Sequence, residues 1–153
     1  MTTFFASLYE WFGIIPLYTP GMMERLRGWD YISQAYVLTN WYINIGVILI
    51  VVTLLIYSLQ YHIIDSSGWN KRRHWWIFAF VTFAINFLAA FIITNNIVQT
   101  GDFDPNDNLS TADCIGFGFS NALWGFIFFL IISTIPIVRR FSTNCRHTTF
   151  WKP

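Results

Sequence analysis

Polar and apolar residues are segregated along this chain into long blocks and do not alternate. No Asp, Glu, Lys or Arg occurs from Tyr31 to Ile64, from Trp75 to Gly101, or from Cys114 to Val138. A bilayer hydrocarbon core about 30 Å thick takes about 20 helical residues to cross. Each block reaches that length around an apolar centre. Backbone groups in lipid must bond within their own segment, and no barrel-like alternation is present, so helix is the expected state. The pattern predicts spans near Trp41–Ile63, Trp75–Thr94 and Cys114–Val138. The first block exceeds a span. Its polar opening, Tyr31 to Tyr36, suits the interface and predicts one long helix starting near Trp29. Trp41, Tyr42, Tyr57, Tyr61, Trp75 and Trp76 mark interface levels.

Ahead of the first span, Phe4, Leu8, Trp11 or Phe12, and Ile15 recur at helical spacing, while Thr3, Ser7 and Glu10 face away. This predicts an amphipathic helix lying in the membrane interface. A fourth or re-entrant span over Thr3–Tyr18 is the competing expectation, opposed by Glu10, Pro16 and the short length. Pro16 and Pro20-Gly21 end this helix. A second short helix from Met22 to about Trp29 places Met22, Leu26 and Trp29 on one side. The first residues lack the basic start and the cleavage site of a signal peptide. The expected organisation is an interfacial segment over 1–30, a transmembrane domain over 31–138 and a basic tail over 139–153. Within the domain, residues 95–113 form an acidic outer loop.

Composition narrows the class. Of 153 residues, 55% are hydrophobic and only 11% charged, against roughly 25% charged in soluble domains. That excludes a soluble globular enzyme and, at 20% aromatic, a disordered chain. The net charge of +1 provides no basic face, so duplex nucleic acid is not an expected partner. The expected fold is an all-α integral membrane protein with three transmembrane helices and N-terminal interfacial helices. Three spans enclose little interior alone, so a homo-oligomeric bundle in the lipid bilayer is expected.

Charge placement orients the spans. Lys71, Arg72 and Arg73 lie in the first loop, and Arg139, Arg140, Arg146 and Lys152 follow the third span. The second loop has no Lys or Arg, but holds Asp102, Asp104, Asp107 and Asp113. The positive-inside rule then puts the tail in the cytoplasm and the N-terminus outside, with a bacterial inner membrane the expected setting. The basic residues Lys71, Arg72, Arg73, Arg139 and Arg140 are expected to contact anionic headgroups. The alternative is docking of an anionic cytosolic ligand or a protein partner.

Uncharged polar residues within the spans are the candidate chemistry. Asn86 lies near the centre of span two and Asn121 a third of the way into span three, with Asn44 near one end of span one. An interhelical hydrogen bond in lipid contributes about 0.6 kcal/mol on average. These residues either join helices within one chain or form a polar ring in an oligomeric pore. Phe83 and Phe87, from the Phe-rich faces, are candidates for a hydrophobic constriction beside Asn86 and Asn121. Pro136 is expected to bend or end span three. Gly116 and Ser120, Gly118 and Ala122, and then Gly125 form a small-residue face for close helix packing.

Several classes are disfavoured. No span carries a charge, which argues against pumps, ion-coupled transporters and voltage sensors. His62, His74 and His147 lie outside the membrane centre, so bis-His haem is not expected. No nucleophile–base pair or Gly-rich phosphate loop is present, and neither enzyme activity nor a cofactor is expected. Asp102, Asp104, Asn106 and Asp113 resemble a calcium loop in spacing. Asp107 stands where that loop needs Gly, and a turn leading into a helix cap is the competing reading of Ser110–Asp113. Other readings of this loop are an acidic ring at a pore mouth and, at Asn108-Leu109-Ser110, a glycosylation sequon. Cys114 and Cys145 are expected at opposite faces, unable to pair within one chain.

The leading functional expectation is a small homo-oligomeric ion-conducting channel or pore, a bacterial inner-membrane effector gated by a cytosolic signal. The alternative is an accessory or assembly subunit of a larger membrane complex.

Overall fold

The structure, a computed structural model, describes residues 4–10, 17–100, 109–136 and 138–149. Three of its helices are long and apolar enough to cross a membrane: Trp41–Ile63, Arg72–Thr100 and Thr111–Thr134. At 1.5 Å per residue they run for about 35, 44 and 36 Å, each enough for the hydrocarbon core.

The elements follow in order: α1 (Phe4–Glu10), α2 (Pro20–Arg27), strands β1 (Trp29–Asp30) and β2 (Ala35–Tyr36), then α3 (Trp41–Ser58). The last turn of span one widens into a π-helical segment, Leu59–Ile63. Helices α4 (Arg72–Thr100) and α5 (Thr111–Thr134) and a 3-10 turn, Val138–Phe141, complete the order.

Span one occupies the predicted range, but the longer helix expected from near Trp29 does not form. Instead β1 and β2 pair antiparallel, Trp29 opposite Tyr36 and Asp30 opposite Ala35. The Asp30 carboxylate accepts hydrogen bonds from the Ser33 amide and hydroxyl, at 3.1 and 2.6 Å, and Gln34 takes a positive φ of 50°. That local bonding competes with helix, as Asx turns do. Span two, Arg72–Thr100, extends past its expected range, Trp75–Thr94, at both ends. Span three begins three residues earlier than expected and stops at Thr134. Pro136 denies Ile135 the helical conformation, so the predicted bend is a helix end.

The chain divides into two compact units, each holding a part of every spanning helix: Met1–Ile48 with Phe87–Asn121, and Leu49–Asn86 with Ala122–Pro153. In the first, α1 turns Ala6 and Tyr9 inward. The Tyr9 ring stacks on Tyr42 at 5.6 Å and tilts onto Phe117 at 5.1 Å. Tyr18 meets Phe117 edge-on at 5.3 Å. Arg27 at the end of α2 forms a two-pronged ion pair with Glu10, at 2.9 and 2.5 Å. Met22 and Leu26 are fully buried, as their spacing predicted, whereas Trp29 belongs to β1. Gly28 ends α2 at φ 93°, and a Cβ there would overlap the Leu38 carbonyl oxygen. The expected helix over Thr3–Tyr18 is present as Phe4–Glu10, and its part over 11–16 lies outside the described residues.

In the second unit the core holds Ile56, Tyr57, Tyr61, Trp75, Phe78, Ala79, Phe129, Ile132 and Cys145. Trp75 is fully buried, and its indole N–H donates to the Ser133 hydroxyl at 3.1 Å. Burial of such a ring normally requires a partner of this kind. The tail folds back on the first loop. The Tyr61 hydroxyl donates to the Thr148 carbonyl at 2.6 Å, and the Thr148 hydroxyl to the Asn70 carbonyl at 2.8 Å.

Candidate functional site

Asn86 and Asn121, the two polar residues deepest in the spans, lie inside the chain. Asn121 is fully buried in the first unit, and its side-chain oxygen accepts a 2.5 Å hydrogen bond from the Tyr9 hydroxyl. Asn86, fully buried in the second unit, donates to the Thr82 carbonyl at 2.9 Å and to the Thr53 hydroxyl at 3.5 Å. Thr53 and Thr82 are themselves fully buried. Asn44, by contrast, is exposed near the start of α3. Phe83 and Phe87 are half-buried, and the Phe87 ring stacks parallel to Phe91 at 6.0 Å.

The small residues pack closely. A Cβ on Gly116 would overlap the Leu17 carbonyl oxygen, so backbone approaches backbone there. A Cβ on Gly118 would lie 3.2 Å from the Phe87 ring, and one on Gly125 2.6 Å from the Asn86 amide nitrogen. Ser120 and Ala122 are fully buried, and the Ser120 hydroxyl bonds back to the Gly116 carbonyl at 3.3 Å.

Asp102, Asp104 and Asn106 lie outside the described residues. Asp113 spends both oxygens on donors of this chain. One accepts from the Thr19 amide at 2.8 Å, the other from the Ser110 amide and hydroxyl at 3.0 and 2.9 Å. That is the carboxylate half of a capping box at the start of α5. Cys114 and Cys145 are both buried free thiols.

The basic residues separate into two kinds. Lys71, Arg72, Arg73 and Arg140 are exposed, and Arg73 reaches the His74 ring at 3.3 Å. Arg139 is partly buried and fixed by backbone. Its Nη atoms donate to the carbonyls of Arg146, at 2.6 Å, and Thr134, at 3.3 Å. Its Nε is buried and has no hydrogen-bond partner among the described residues.

The same lack of a partner recurs at positions that were not candidate site residues in the sequence. The Tyr57 hydroxyl and both ends of the Gln60 amide are buried and unpartnered among the described residues, as is His74 Nδ1. Gln60 is only 1% exposed. Leaving a buried polar group unpaired costs about 1–3 kcal/mol, so such groups mark water or ligand positions. Gln60 sits in the π-helical segment, a feature that often accompanies function. That segment contacts the 3-10 turn carrying Arg139. The one sequence signal for this site is a Gln placed inside an apolar run.

Beside it, Asp65 organises the tail. Its carboxylate accepts from the amides of Thr143, Asn144 and Cys145, at 2.5, 2.7 and 2.7 Å, and from the Ser142 hydroxyl at 3.1 Å. Burial opposes the charged form, but these donors outweigh it and hold the carboxyl below its ordinary value of 3.8. Burial, with the adjacent Asp65 charge, pushes the Cys145 thiol up, which makes it a poor nucleophile.

Comparisons with protein-family models, curated proteins and solved structures give no match, so the site's own chemistry carries the functional reading.

Proposed function

We propose that this chain is an accessory subunit of a membrane complex, presenting apolar helix faces to other membrane chains. The observation that carries this reading is where its polar residues lie. Asn86, Asn121, Thr53 and Thr82 are enclosed by the chain's own helices. The residues exposed along the middle of the spans are apolar, among them Val51, Leu55, Phe80, Leu88 and Phe119. Without a hydrophobic drive between helices in lipid, such faces associate through close van der Waals packing. In this reading α1 and α2 lie in the interface, and the basic end of the spans faces the cytoplasm.

The homo-oligomeric pore expected from the sequence needs a polar stripe on an outward face. Asn86 and Asn121 supply one only if they leave their present partners. The deciding experiment is native mass spectrometry of the chain extracted from its own membrane, followed by bilayer recording. The expected outcome is co-purification with different membrane chains and no unitary conductance. A closed ring of identical chains that conducts ions overturns the proposal in favour of the pore.

A further inference from the structure

We infer that the hairpin Tyr31–Leu38 is a lipid-binding element whose apolar tip enters the glycerol and upper acyl region of the phospholipids around span one. The inference needs only the spans and stands whichever assembly the chain enters.

The hairpin leaves a cluster of apolar side chains uncovered. On its turn Ile32 is 77% exposed and Tyr31 45%. On its return Tyr36, Val37 and Leu38 are 56%, 64% and 41% exposed. Clustered apolar exposure of this kind marks a surface that something else covers. The base of the hairpin is fixed. The Leu38 amide donates to the Gly28 carbonyl at 3.0 Å, and the Trp29 ring meets Tyr36 edge-on at 4.9 Å. Gly28 follows directly on α2, whose Met22 and Leu26 are fully buried. The tip is thus presented by packed structure.

Three observations favour lipid as the cover. The first is position. Span one begins at Trp41, three residues past Leu38. An extended chain rises about 3.4 Å per residue, so Leu38 lies within about 10 Å of the start of the span. The headgroup layer outside the hydrocarbon is itself about 5–8 Å deep. The second is charge. No Asp, Glu, Lys or Arg occurs from Tyr31 to Ile64, so the tip carries no charge out of water. The neighbouring Asp30 carboxylate is engaged by the Ser33 amide and hydroxyl. Tyr31 and Tyr36 add rings with polar ends, which suit the boundary between headgroups and hydrocarbon. The third is direction. Tyr36, Val37 and Leu38 are consecutive, and consecutive side chains of an extended chain point in different directions. One flat protein surface does not cover all three, whereas a fluid does.

The test is spin labelling of the full chain in phosphatidylcholine nanodiscs, reading accessibility to oxygen, which enters lipid, and to a water-soluble nickel chelate. Labels are placed at Ile32→Cys and Val37→Cys. Val51→Cys, exposed midway along span one, is the lipid reference, and Ser67→Cys, exposed in the first loop, the water reference. The chain without an added cysteine is the blank, since Cys114 and Cys145 are buried. The Ile32 and Val37 labels should favour oxygen over the chelate several-fold more than the Ser67 label does. The same depth is expected in phosphatidylglycerol nanodiscs, because the tip is uncharged. Ile32→Asp, a change on an exposed turn, should return the Val37 label toward water. Four results overturn the inference. A tip as open to the chelate as Ser67 stands in water. Labels shielded from both reagents report protein contact. Insertion in phosphatidylglycerol alone reports attraction of charge. A Val37 label unmoved by Ile32→Asp shows that the apolar tip does not hold the hairpin in lipid.

Discussion

Among the described residues, Asp65 does the most bonding of any single side chain at the basic end. Four donors from Ser142 to Cys145 converge on its carboxylate. Because its folded pKa lies below its ordinary value, its contribution is complete above the unfolded pKa of about 3.9. That contribution is lost as pH falls through the lower folded value. Asp65→Asn should lower stability by about 1 kcal/mol at neutral pH, a figure reduced for the solvent exposure of these bonds. The gap between variant and native chain should close as the pH falls below about 4, which thermal unfolding at several pH values will read. A gap independent of pH would mean that the charge is not what the amides recognise. The sequence shows an acid two residues past span one, but not which turn it caps. The capped turn begins 77 residues later, and no local pattern encodes a pairing at that separation.

At the scale of elements, Gly116 in α5 and Gly68 in the first loop differ in what surrounds them. Gly116 faces a backbone oxygen of Leu17, which cannot swing away as a side chain can. Gly116→Ala should therefore cost about 1–3 kcal/mol through overpacking, despite alanine's better helix propensity. Gly68→Ala, with open space around it, should be near neutral. Denaturant titrations in detergent compare the two, and equal stabilities would refute the close approach. The small-residue spacing of Gly116, Ser120, Gly118 and Ala122 was legible as a packing face. That Gly116 receives the N-terminal segment and not another span was not legible, because the spacing identifies a groove and not its occupant. The π-helical turn was equally hidden, since Leu59–Ile63 continues the uncharged run with no Gly or Pro to mark a change of helix type.

For the molecule as a whole, the proposed orientation rests on the charge pattern. Neutralising Lys71, Arg72 and Arg73 together to Gln removes the basic residues of the first loop, all of them exposed. The positive-inside rule then predicts mixed topology, visible with reporters fused to the C-terminus. Unchanged orientation would show that other charges govern insertion.

Three helices long and apolar enough to cross a membrane were legible in the sequence alone. Hydrocarbon tolerates only segments that satisfy their own backbone bonds, so long uncharged runs have one available structure. Pro136 marked a bend or an end of span three, placed near Val138, and the helix in fact stops at Thr134, because a proline ring disfavours the helical conformation at the residue before it. Only the tertiary structure decided which polar side chains are enclosed and with what. Asn121 meets Tyr9 across 112 residues of sequence, while Tyr57, Gln60 and Arg139 keep polar atoms without partners among the described residues. Periodicity places a side chain on a face. Which face turns inward depends on the register between helices, and that is set by long-range packing.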